Sequence, residues 1–93
     1  MAATSFLTVQ ARLARALLEL GKYVGQDDGA GRVMIRHKIW LGDLAAMAGV
    51  ARENVSRVIS NWKRNKVVSR SSGFYCLIDI TRLRRIMDLK AEC

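Results

Sequence analysis

A short apolar-faced segment, a glycine, a strongly two-faced segment and a glycine-turned hairpin predict a mainly α-helical domain with a small β-hairpin wing. That order is a winged helix-turn-helix. Val55, Val58, Ile59 and Trp62 fall at i, i+3, i+4 and i+7, one apolar stripe on a helix. The helix runs from Arg52 to Arg64, some 20 Å at about 1.5 Å per residue. Leu44, Ala45, Met47 and Ala48 give a shorter apolar face just before Gly49, a residue suited to the positive φ of a sharp turn between helices. Val67–Arg70 and Phe74–Ile78 have strand composition and flank Ser71-Ser72-Gly73, a hairpin signal.

The remaining elements follow in order. Residues 5–24 read as a core helix, because Leu13, Leu17, Leu20 and Val24 form a stripe opposite Arg12, Arg15, Glu19 and Lys22. Ser5 or Thr8 is the candidate cap. The hydrophilic, glycine-rich stretch Gly25–Gly31 predicts a loop that ends this helix. Arg32–Trp40 predicts a short extended pair or bend, and helix resumes near Leu41. The last helix is expected over Arg82–Lys90, opened by Asp79 or Thr81, with Leu83, Ile86 and Met87 facing inward. No repeat, linker or low-complexity tract interrupts residues 1–93, which read as a single domain with the two-helix motif at about 41–64 and the wing at about 67–78.

Charge and composition narrow the function. The net charge is +8, and all of the excess lies in residues 32–93, with thirteen lysines and arginines against five acidic residues. A concentrated positive field attracts phosphate and releases counterions on binding. No apolar run is long enough to span a bilayer, and no helix combines a lysine-rich face with large exposed apolar side chains as a membrane-surface helix does. Cys76 and Cys93 fit no metal-ligand spacing and are expected as reduced thiols in a cytoplasmic protein. One histidine, His37, lies between Arg36 and Lys38 and reads as an ordinary surface residue. No Ser/His/Asp set, phosphate-cradling glycine loop or carboxylate pair supports an enzyme, and no cofactor is expected in this chain. The aromatic platform of a single-stranded RNA binder is missing.

The polar side of the 52–64 helix carries Arg52, Glu53, Ser56, Arg57, Ser60 and Arg64. Arginine donates two hydrogen bonds to guanine, glutamate accepts from cytosine and serine bonds either way. Arg57 is expected to pair with a guanine, Glu53 to accept from a cytosine N4, and Ser56 to touch a thymine or a phosphate. Arg52 reads either a base or a phosphate. The bland alternative for Arg57 is an exposed arginine on an amphipathic helix, and for Glu53 a surface ion pair with Arg57 one turn away. Ser60, Lys63, Arg64, Lys66, Arg70 and Ser72 are the candidates for the DNA backbone, with plain solvation as the alternative for the cations. Arg82, Arg84 and Arg85 read as a solvated face. Trp62 and Trp40 are expected as apolar anchors, with partial exposure as the alternative for Trp40. The rival function is a winged-helix module that docks an acidic protein partner without base preference.

On these residues the chain resembles the C-terminal DNA-binding domain of the Crp/Fnr family of bacterial transcription regulators. The resemblance runs from about Val9 to Met87 and is densest over LGDLAAMAGVARENVSRVISNWKRNKVV. Glu53-x-x-Ser56-Arg57 is similar to the Fnr branch, and Arg52 beside the glutamate to the cyclic-AMP receptor branch. The resemblance implies a TTGA-like half-site, an inverted-repeat operator on double-stranded DNA and a dimeric full-length parent. RNA polymerase is a second candidate partner. Ala51 stands where the family usually has a Ser or Thr cap, and Trp40-Leu41 replaces the polar cap of the preceding helix. The family's sensor barrel and dimerisation helix do not fit before Val9, so an excised domain is expected, with a protein that lost its sensor as the alternative, and any effector site lies in an absent sensor.

Overall fold

The computed structural model describes residues 6–27, 29 and 31–89. Helix α1 (Phe6–Val24) leads into strands β1 (Gly25–Asp27) and β2 (Val33–Ile35). Helices α2 (Leu41–Ala48) and α3 (Arg52–Arg64) follow, then strands β3 (Val68–Ser71) and β4 (Phe74–Leu77), and helix α4 (Ile80–Leu89). The strands form one antiparallel sheet in the order β1-β2-β4-β3. This is the mainly α fold with a β wing that the hydrophobic pattern predicts.

One core joins the layers. Leu13 and Leu17 of α1, Leu44 of α2, Val55, Val58, Ile59 and Trp62 of α3 and Leu83 of α4 are all buried. Ile35, Val68, Tyr75 and Leu77 supply the inner face of the sheet. The α3 stripe is therefore an anchor, and it fixes which side of that helix is left outside. Among the described residues no helix is long and apolar enough to cross a membrane.

Several boundaries differ from the sequence reading. Gly25–Asp27 is not loop but strand, with Gly25, Gln26 and Asp27 paired to Ile35, Met34 and Val33. Glycine is needed where the chain passes from helix to strand at Gly25, since a Cβ there would overlap the Gly21 carbonyl oxygen and Val33. Thr8 lies inside α1 and does not cap it, while Ser5 lies outside the described residues. Met47 is half exposed, so the buried residues of α2 are Leu44, Ala45 and Ala48, with Leu41 packed partly against the core. The last helix starts two residues early, and its cap is Asp79, whose Oδ1 accepts from the Arg82 amide at 3.0 Å. Lys90 lies outside the described residues.

The wing is a tight hairpin. Val68, Ser69, Arg70 and Ser71 pair with Leu77, Cys76, Tyr75 and Phe74, which leaves Ser72-Gly73 as a two-residue turn. Both residues have positive φ, 54° and 87°, as the hairpin turn that matches strand twist demands. Val67 clasps the wing base to the helices. Its amide donates to the Trp62 carbonyl at 2.8 Å, and its carbonyl accepts from Ile78 and Asp79 at 2.9 and 3.1 Å.

Tyr75 is fully buried, and its hydroxyl has no hydrogen-bond partner. Burial pushes its pKa up, opposed by the Arg70 guanidinium 5.6 Å from the ring centroid. The folded chain therefore holds this proton more tightly than the unfolded chain. The contribution to stability is complete below the ordinary tyrosine pKa of about 10 and is lost as pH rises from there through the higher folded value. Changing Tyr75 to Phe removes an unpaired buried donor and should raise the unfolding free energy by about 1 kcal/mol. It should also flatten the alkaline loss relative to wild type. Denaturant melts at about pH 8 and about pH 11 read both effects. A variant less stable than wild type at the lower pH would show that the hydroxyl is satisfied.

Candidate nucleic-acid interface

Helix α3 begins at an uncapped turn. Gly49 sits in the left-handed region at φ 69°, ψ 36° and ends α2. The Arg12 guanidinium reaches across from α1 to donate to the Gly49 carbonyl at 3.3 Å, so the first helix of the domain braces the turn. Ala51 then has extended backbone, φ −71° and ψ 146°, and its carbonyl accepts from Asn54 and Val55. Its methyl group cannot accept from the free amides of the first turn. Serine at 51 would do so without moving the backbone. Ala51→Ser should stabilise the domain by about 1 kcal/mol, seen as a rise of roughly 4–8 °C in melting temperature. An unchanged melting temperature would mean that those amides are already satisfied in the free protein.

At the other end, α3 closes with a left-handed Lys66 at φ 60°. The Lys66 amide donates to Lys63 and the Val67 amide to Trp62. That is the two-bond closure usually built around glycine. The last turn also holds Asn65, whose side-chain amide donates to both the carbonyl and the Oδ1 of Asn61 at 3.1 Å. Both ends of α3 are therefore fixed, and its buried stripe sets its rotation.

That rotation exposes Arg52, Glu53, Ser56, Arg57, Ser60, Lys63 and Arg64. Glu53, Ser56, Arg57, Ser60, Asn61 and Arg64 line one shallow outward hollow. Glu53 and Arg57 form no ion pair with each other, so both are unengaged in the free domain. Lys66 and Ser72 are exposed beyond the end of the helix and at the wing tip. Arg70 is placed differently. It is half-buried, it stacks over Tyr75 and its Nε has no acceptor.

Three residues near this surface do not stand out for it in the sequence. Asn61 lies one turn beyond Arg57 in the same hollow, and an asparagine amide suits adenine. Its helical spacing is the available signal. Trp40 takes the exposed alternative, at 59%. It precedes α2, and only half of a reciprocal cap exists there: Asp43 Oδ2 accepts from the Trp40 amide at 3.3 Å, and the indole offers no acceptor in return. Lys38 holds its ammonium 5.8 Å from the Trp40 ring centroid.

The surface has the chemistry of base and phosphate recognition, and comparison with known proteins gives the lineage. Residues 11–86 match the model of the Crp-like helix-turn-helix domain. The chain belongs to that family. Among solved structures, a CRP/FNR-family transcriptional regulator from Thermus thermophilus is 30% identical, with a TM-score of 0.73 over 85% of this chain and 40% of its own. The catabolite activator protein of Thermus thermophilus is 31% identical, with a TM-score of 0.70 over 91% of this chain and 36% of its own. Oxidised CprK, solved with o-chlorophenolacetic acid, shares the fold at 20% identity and a TM-score of 0.78, over 94% of this chain and 37% of its own. The chain thus spans about 40% of the first of these regulators or less. No curated protein matches it significantly. A Crp-like helix-turn-helix domain is a DNA-binding element of transcription regulators and not an enzyme.

Proposed function

We propose that this domain is the sequence-reading output of a Crp/Fnr-type regulator and that α3 enters the major groove of a G·C-containing half-site. Arg57 donates to guanine, Glu53 accepts from the cytosine N4, and Ser56 and Arg52 add contacts at the edges of the site. Ser60, Lys63, Arg64, Lys66 and Ser72 meet phosphates, which set register and orientation without carrying sequence. The observation that carries this reading is the pairing of a fully anchored inner stripe with an outer face whose hydrogen-bonding groups are unengaged. Helix α2 lies across the backbone, and two copies read an inverted repeat with centres about 34 Å apart. The regulator acts in the bacterial cytoplasm.

A fluorescence-anisotropy titration tests this. One duplex carries two inverted TTGA half-sites, the other a scrambled sequence of equal length, each at two salt concentrations. Preference for the first duplex at both salts is expected, with both affinities falling as salt rises. Equal affinity for the two, vanishing at the higher salt, would instead fit a basic module that docks acidic protein partners.

A further inference from the structure

Helices α1 and α4 leave an open groove between them. Ala11, Arg15, Leu18 and Lys22 line one wall at i, i+4, i+7 and i+11. Ile80, Arg84 and Met87 line the other at i, i+4 and i+7. That is the 3.5-residue repeat with which helices pack side by side. Along both walls an apolar position alternates with a cation. Leu18, Ile80 and Met87 are half-buried against the core, and Val33 and Leu77 reach the groove from the sheet. The groove has a volume of about 950 Å³. From Ala11 to Lys22 it runs about 16 Å along α1, at about 1.5 Å per residue, which is the length of about three turns of a further helix.

The charges at the rim select the occupant. Four cations, Arg12, Arg15, Lys22 and Arg84, stand there against two carboxylates, Glu19 and Asp88. Arg15 is held by Glu19 at 3.5 Å and Arg12 by the Gly49 carbonyl at 3.3 Å. Lys22 and Arg84 form no ion pair. A second copy of this chain would bring its own Lys22 and Arg84 to the same rim, and like charges facing each other across an interface oppose binding. We propose that the α1–α4 groove docks an acidic amphipathic helix of a partner protein. Apolar side chains of that helix enter between Leu18, Ile80 and Met87, and its carboxylates meet Lys22 and Arg84. The groove shares no lining residue with the outer hollow of α3, so this site is separate from the face proposed to meet DNA and does not depend on it.

The test uses the whole chain and two synthetic peptides of about 14 residues, roughly four helical turns, each with leucines at i, i+3, i+4 and i+7. Glutamates flank the leucines in one peptide and lysines in the other. Methyl and amide chemical shifts of the domain report binding. The acidic peptide should bind about tenfold or more tightly than the lysine peptide, with the largest shifts at Leu18, Ile80 and Met87. Met87→Asp should weaken it about tenfold, through a lost apolar contact and an added like charge. Lys22→Glu combined with Arg84→Glu should reverse the preference, so that the lysine peptide binds the better. A folding defect cannot produce that gain. The proposal is overturned if wild type binds the two peptides alike, if the shifts fall outside the groove, or if the double variant keeps the wild-type preference. Shifts at Leu18 and Met87 that grow with protein concentration in the absence of peptide would make a second copy the occupant and would also overturn it. Adding the TTGA duplex should leave the groove shifts of the acidic peptide in place, and their loss would place the peptide on the DNA-facing surface instead.

Discussion

Truncating Arg57 to alanine is expected to weaken binding to the preferred duplex by about 1–3 kcal/mol, roughly fivefold to 150-fold. Discrimination at one base pair should fall with it. Arg57 is exposed in the middle of α3 and shares its hollow with Glu53, Ser56 and Ser60. It makes no ion pair with Glu53 in the free domain, so binding does not first have to break one. The loss should be specific. A phosphate-facing substitution such as Lys63→Ala should weaken all duplexes alike and lower the salt slope, while leaving the preference in place. Competition titrations with single base-pair variants of the half-site check this. If Arg57→Ala retained the wild-type ranking of those variants, Arg57 would be a backbone or solvated residue.

Trp62→Ala should have the largest effect on stability. The indole is 2% exposed and packs in the cluster with Val55, Val58 and Ile59 of the same helix and with core residues of the other elements. Removing a buried aromatic of this size costs about 3–5 kcal/mol, because lost transfer energy is joined by the cavity left behind. A domain of this length holds roughly 5–14 kcal/mol in total. The variant should therefore melt far below wild type or populate the unfolded state at room temperature. The carbonyl of residue 62 also accepts the Val67 amide, so loosening this turn should reach the base of the wing. Denaturant unfolding measures the cost. A loss under about 1 kcal/mol would mean that the helix is not held by that stripe.

Much of this molecule is written locally. The α3 stripe at i, i+3, i+4 and i+7 places Val55, Val58, Ile59 and Trp62 inside and the guanidinium, carboxylate and hydroxyl groups outside. Gly49 marks the turn because its conformation needs no Cβ. Gly73 marks the wing for the same reason, while Ser72 takes its positive φ with a Cβ in place. Strand β1 is not legible, because Gly-Gln-Asp carries no strand composition. Its structure comes from hydrogen bonds supplied by β2, which the sequence window does not contain. Trp40 stays open in the sequence because hydrophobicity alone suggests burial, while its place is set by the turn into α2. Arg70 reads as one more surface cation, yet cross-strand pairing sets it opposite Tyr75, and the ring draws it partly inward. Met47 follows the same logic from the other direction. The short α2 has room for three buried positions and leaves the fourth apolar side chain half exposed.

The most direct measurement is an amide and side-chain chemical-shift titration of the domain with the TTGA inverted-repeat duplex. With α3 in the major groove, the largest perturbations fall on Arg52, Glu53, Ser56, Arg57 and Ser60, with smaller ones at Lys66 and the wing tip. Perturbations gathered on α1 and α4, with the outer face of α3 unchanged, would contradict that placement.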